Sequence, residues 1–126
     1  MREIIFRGKC IHNGEWVYGF LFITRKGQYN IKWYSPEYGS SNTSEVYPES
    51  VGQFTGVVDK NGRKIFEDDV FVHNNKYRYK VLWCNDHKGF YAEGINLSDY
   101  DYVGNFYEFC LEVNGNIHDN PELLEE

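Results

Sequence analysis

Read from the amino terminus, apolar and polar residues alternate in short runs separated by turn residues, the pattern of half-buried β-strands. Glu3 to Cys10 and Glu15 to Thr24 are the first two runs, and His12-Asn13-Gly14 between them predicts a β-hairpin. After the turn at Arg25-Lys26-Gly27, Gln28 to Trp33 alternates with Tyr29, Ile31 and Trp33 on one face, a third strand. From Ser35 to Ser50 the chain is rich in Ser, Gly, Asn and Pro, with Glu45-Val46-Tyr47 as a short apolar piece inside it. That stretch is the natural seam if the single domain, 1–126, has two sub-lobes, 1–50 and 51–126.

Beyond the seam come Gln53 to Val58, the polar Asp59-Lys60-Asn61-Gly62-Arg63, and Lys64 to Phe66. Asn61-Gly62 between apolar segments predicts a type I′ turn, because both residues tolerate positive φ. Glu67-Asp68-Asp69 leads into Val70-Phe71-Val72, and Asn74-Asn75 turns the chain into Tyr77 to Trp83. A turn near Asn85-Asp86 then leads to Gly89 to Gly94. Residues 54–94 thus predict an antiparallel meander, and Phe106 to Val113 adds a strand. Short strands at this spacing curl into a small barrel, here of SH3-like size, beside the additional N-terminal β lobe. Asn120-Pro121-Glu122-Leu123-Leu124 carries the capping residue, first-turn proline and acid of one short C-terminal helical turn.

Composition strengthens the β reading: aromatic residues are 18% of 126, and Ala92 is the only alanine. The longest apolar run, Val17 to Ile23, is far short of the about 20 residues that cross a bilayer as a helix. The amino terminus turns charged after three apolar residues and has no signal-peptide core. Cys10, Cys84 and Cys110 are an odd set without a close pair, which suits a reducing compartment. A cytoplasmic protein is expected.

Charge divides the chain. Residues 1–63 carry eight Lys/Arg against six Asp/Glu, and residues 64–126 five against thirteen. After Lys88 there is no Lys or Arg, while Glu93, Asp99, Asp101, Glu108, Glu112, Asp119, Glu122, Glu125 and Glu126 follow. Such a surface repels a phosphate backbone and could meet a basic protein. Tyr100 and Tyr102 alternate with Asp99 and Asp101, which makes these four the candidate partner contact. The more basic half, through Arg2, Arg7, Lys9, Arg25, Lys26 and Lys32, offers at most weak nucleic-acid binding.

Candidate chemistry is sparse. Asp59-x-Asn61-Gly62 has its glycine in fourth place, where a calcium loop needs it sixth, so it reads as a turn. Strand alternation would put Glu67 and Asp69 on one face, where two carboxylates could hold a divalent ion for a phosphodiesterase or hydrolase. No further ligand accompanies them, and an acid before a buried strand more often accepts backbone N–H groups of the adjoining turn. Cys10-x-His12 with Cys84-x-x-His87 would make a Cys₂His₂ zinc set of unusual spacing. As a nucleophilic dyad, Cys84 and His87 lack an orienting group. Tyr77, Tyr79, Val81 and Trp83 share a face, with Arg78 and Lys80 on the other, and four large apolar groups in register predict core. The phosphate-binding and hydrolase signatures built on spaced glycines, serines or histidines are absent. Neither a cofactor nor an enzymatic activity is expected.

The segment Val51-Gly52-Gln53-Phe54-Thr55-Gly56-Val57-Val58-Asp59-Lys60-Asn61-Gly62-Arg63-Lys64-Ile65-Phe66-Glu67-Asp68-Asp69-Val70 resembles the hallmark of the YopX family of small phage and prophage proteins. Arg2-Glu3-Ile4-x-Phe6-Arg7-Gly8 and Glu112-Val113-x-Gly115-Asn116-Ile117, followed by Asn120 to Leu124, are similar as well. The resemblance implies a YopX-like domain of mainly β fold, an origin in temperate phages or prophages of Gram-positive bacteria, and hence the bacterial host cytoplasm. It implies no assigned activity. Asp68 stands where the family usually has glycine. Gly56, Asp59, Asn61, Gly62, Ile65, Glu67 and Asp69 are expected to shape turns and strand entrances, with Ile65, Phe66, Val70 and Val72 in the core. The resulting reading is a phage accessory protein that binds another protein or itself without catalysis; nucleic acid and membrane are not expected partners.

Overall fold

The computed structural model describes residues 3–125. Strands and short 3-10 turns make up its regular structure, and there is no α-helix among the described residues. No helix among the described residues is long and apolar enough to cross a membrane. The chain forms two compact units, Met1–Phe54 and Thr55–Glu126.

Unit 1 contains β1 (Phe6–Lys9), β2 (Trp16–Ile23), β3 (Tyr29–Ser35) and β4 (Ser40–Glu45), antiparallel in the order β4-β3-β2-β1. The start of β5 (Gly52–Val58) pairs with β1, Gln53 opposite Phe6. β4 lies inside the stretch read from sequence as a seam. Its residues, Ser40-Ser41-Asn42-Thr43-Ser44-Glu45, have no apolar alternation because only one of its edges is paired along its length, with β3. Past β4 the chain bends back: Cys10 and Val46 form an isolated bridge, Tyr47 N–H donates to the Lys9 carbonyl at 2.9 Å, and Ile11 N–H donates to the Glu45 carbonyl at 3.0 Å. The sheet therefore curls, with Ile31 and Val46 buried on its inner side. Tight curling explains Gly19, whose place would bring a Cβ to 2.1 Å from the Lys32 carbonyl oxygen.

Unit 2 holds the rest of β5, then β6 (Lys64–Phe66), β7 (Asp69–His73), β8 (Tyr77–Cys84), β9 (Gly89–Gly94), β10 (Tyr100–Tyr102) and β11 (Leu111–Asn116). β6 follows β5 in the first sheet, and the second runs β10-β9-β8-β7-β11. The hairpins from β7 to β9 match the sequence reading, but the meander expected over residues 54–94 is not one sheet: β5 and β6 belong to the first sheet, and β10 extends the second beyond residue 94. The expected SH3-like barrel does not close: β10 and β11 are the two edges of the second sheet, and no ladder joins them among the described residues. Phe106 to Val113 is not one strand either; 3-10 turns at Val103–Asn105 and Glu108–Cys110 precede β11. The C-terminal turn is a 3-10 turn, Pro121–Leu124.

The core of unit 2 joins Ile65, Phe71, Tyr79, Val81, Ala92, Val103, Leu111 and Val113. Of the expected core positions, Ile65, Phe66 and Val70 are buried and Val72 is half-buried, while Tyr77 and Trp83, near the ends of β8, are exposed. Asp59 closes the β5–β6 turn: its Oδ1 accepts the N–H groups of Asn61 and Arg63 at 2.9 Å each, and its Oδ2 accepts that of Val113 at 3.0 Å. The turn is not type I′. Only Gly62 of the pair is left-handed, at φ +80°, which gives a three-residue loop ending in a left-handed glycine.

Candidate functional site

The family-motif residues act on the backbone. Gly56 and Gly62 have positive φ, Ile65 is core, and Asp59 ties the β5–β6 loop to β11. Burial alone would raise the Asp59 carboxyl, but N–H donation from Val113, Arg63 and Asn61, with the Arg63 charge, holds it below the ordinary carboxylate value. Glu67 and Asp69 do not alternate on one strand face, because Glu67 and Asp68 form the turn before β7 and Asp68 takes φ +70°. Asp68 thus adopts the left-handed backbone suited to the glycine it replaces, and it contacts the His118 Nε2 at 3.0 Å. Asp69 Oδ2 accepts the buried Phe66 N–H at 2.8 Å.

Neither cysteine–histidine idea acquires its geometry. Cys10 is buried at the bridge in unit 1, next to a chain segment that leaves His12 exposed. Cys84 ends β8 in unit 2, and no group of three His, Cys, Asp or Glu is placed to hold a metal among the described residues. The Tyr100 hydroxyl and the backbone N–H groups of His87 and Asp86 lower the Cys84 thiol from its ordinary value. His87 serves Cys84 through its backbone, while its ring stacks on Tyr91 at 5.0 Å. Tyr91 also packs against Tyr100 and Tyr102, with ring centroids 4.4 and 4.3 Å away. Tyr100 is pushed up to about 12, first by its bond to Cys84 and then by burial.

Asp99, Tyr100, Asp101 and Tyr102 therefore split by side chain. The tyrosines cover Tyr91, and β10 is a short edge strand of the second sheet. The two acids face elsewhere, lining a cleft of about 400 Å³ with His73, Asn74, Phe106 and Tyr107. Cys110 and Asn105 complete the lining, so it has no Lys or Arg. The β7–β8 turn brings His73 and Asn74 to this place, and the 3-10 turns after β10 bring Phe106, Tyr107 and Cys110. His73 stands edge-on to Phe106 at 5.1 Å, and the Tyr79 hydroxyl donates to Asp99 Oδ2. Burial, and next that bond, push the Tyr79 phenol well above its ordinary value. Asp101 Oδ1 accepts from Tyr102 N–H and Asn105 Nδ2, both at 2.8 Å, while no bond occupies Oδ2 among the described residues. A carboxylate beside aromatic walls suits a cationic side chain, through charge-assisted hydrogen bonding and cation–π contact. Tyr107 and Phe109, stacked at 5.5 Å and strongly exposed, widen the apolar rim.

Sequence reasoning missed a second surface. On β2 the outward positions are Trp16, Tyr18, Phe20 and Phe22, and Phe20 pairs with Lys32 on β3. Tyr34 follows Lys32 on that face, and Phe20, Phe22 and Tyr34 are 71%, 42% and 62% exposed. The signal was in the β2 sequence, which is apolar at both odd and even positions. Of the basic residues singled out, Lys32, Arg25 and Lys26 are exposed, Lys9 is half-buried, Arg7 is buried, and Arg2 lies outside the described residues.

A family model described as YopX protein matches residues 5–125. The crystal structure of protein EF1440 from Enterococcus faecalis is similar, at 23% identity and TM-score 0.62, covering 99% of this chain and 100% of that one. The crystal structure of protein yopX from Bacillus subtilis is similar at 17% identity and TM-score 0.61, with the same coverage. At these identities the likeness shows the fold alone. No curated protein matches the chain.

Proposed function

The chain belongs to the YopX family, a family of unknown function, and from that premise we propose that it is a phage or prophage accessory protein of the host cytoplasm that binds another protein without catalysis. The observation that carries this reading is the unit 2 cleft, with Asp99 and Asp101 beside Phe106 and Tyr107 and no Lys or Arg in the lining. It supports a partner that presents a Lys or Arg side chain from a basic segment. Self-association through the same cleft is the homotypic form of the reading. Cys110 and His73 share the lining, but no hydrogen bond joins them among the described residues, and Asp69 is bonded to the Phe66 N–H. Neither arrangement favours a hydrolase.

The test is a titration of labelled Lys/Arg-rich peptides against the protein, with a neutral peptide of equal length as control. Asp101→Asn removes the charge and keeps the shape, and it should weaken binding roughly tenfold while flattening its salt dependence. Equal affinity of the two peptides, or an Asp101→Asn variant indistinguishable from the parent, would sink the reading.

A further inference from the structure

We propose that the outer face of unit 1 binds single-stranded nucleic acid, its bases stacking on Phe20, Phe22 and Tyr34 and its phosphates meeting Lys32, Arg25 and Lys26. The site is separate from the unit 2 cleft and stands on its own observations. The outer side of a curled sheet faces water and is ordinarily polar, yet β2 sets exposed rings at every second position there, about 7 Å apart on a strand. Their inward neighbours, Val17, Gly19 and Leu21, occupy the opposite face, so the outward rings are not held there by the inner packing.

Charge selects the occupant. Lys32 lies directly across from Phe20, within the aromatic patch, and Arg25 and Lys26 occupy the turn at the Phe22 end. Glu45 is the one carboxylate at outward positions of β2, β3 and β4. Protein–protein interface cores are depleted in lysine, whereas a cation set between stacking rings is what a single-stranded nucleic-acid platform uses. The patch is an open ladder of rings, and a base can lie on it only when unstacked from its neighbours, which favours single strands over duplex. The chain's net charge of −6 makes this binding weak, and the phosphate contacts of Lys32, Arg25 and Lys26 make it salt-sensitive.

Fluorescence anisotropy with labelled oligo(dT), an RNA of the same length and a duplex control tests the proposal at low salt. Saturable binding of single strands is expected, with weaker binding of duplex and steep loss on adding salt. Phe20→Ala and Lys32→Glu should each cost roughly tenfold in affinity, while Asp101→Asn should leave it unchanged. Tyr34→Ala supplies a third variant, and thermal melting confirms that each remains folded. Absence of single-strand binding, equal duplex binding, or full affinity in a folded Phe20→Ala variant would overturn the proposal. Concentration-dependent self-association that Phe20→Ala abolishes, without nucleic-acid binding, would overturn it in favour of a second copy of this chain on the same face.

Discussion

In unit 2 the rings of Phe71 and Tyr79 stack at 5.4 Å inside the core, with Phe106 edge-on to both, whereas in unit 1 Phe20 and Tyr34 stand largely in water. The charge differs too: residues 1–54 carry six basic and five acidic side chains, and residues 55–126 seven and fourteen. In unit 2, carboxylates such as Asp59 and Asp69 turn inward to hold backbone N–H groups. In unit 1 the sheet is shaped by the close backbone approach at Gly19. The lesson is that an aromatic-rich β sequence does not say whether its rings are core or surface; the direction in which the sheet curls decides that.

The sharpest way to break unit 2 is Asp59→Ala, which orphans three backbone N–H groups and should cost about 3 kcal/mol or more. Urea denaturation would show the loss as a lower midpoint. Gly19→Ala attacks the curl of unit 1, where the new methyl would press on the Lys32 carbonyl, and should cost about 2 kcal/mol. A thermal melt followed by tryptophan fluorescence reports it through Trp16 and Trp33. Asp59 also gives unit 2 an acid limb. Because its folded carboxyl titrates below its unfolded value of 3.8, its contribution is complete above that pH and is lost as pH falls through the lower folded value. Melting temperatures of parent and Asp59→Asn should therefore converge on acidification; parallel curves would contradict the assignment. The smallest effect is expected at Phe20→Ser, within about 0.5 kcal/mol of the parent, because an exposed ring contributes little to folding. A large loss there would show that the outer face is part of the core after all.

Much of the fold was legible where alternation and turn chemistry agree, as in β8 with Tyr79 and Val81 inward and in the loop around Gly62. β4 was missed because a polar edge strand has no apolar period, and β10 because three residues are too few to establish one. The barrel expectation failed because strand spacing says nothing about whether the two outer strands meet. As for the cleft, Asp99 and Asp101 were visible as candidates. His73, Asn74, Phe106, Tyr107 and Cys110 join them only through the β7–β8 hairpin and the 3-10 turns, contacts that no local pattern encodes. The unit 1 face was hidden for another reason: β2 is apolar on both faces, so its sequence does not say which face is inside.

Gly19 has a consequence for how such a protein can change over generations. Any side chain there collides with the opposing strand, so a lineage that keeps the curl must keep glycine at that position. Phe20, one residue on, points outward and is free of that constraint. Neighbouring codons thus answer to different constraints, one to the geometry of the fold and the other to what the outer face binds. A protein built this way can exchange its outer residues, and with them what it binds, while its architecture passes on unaltered.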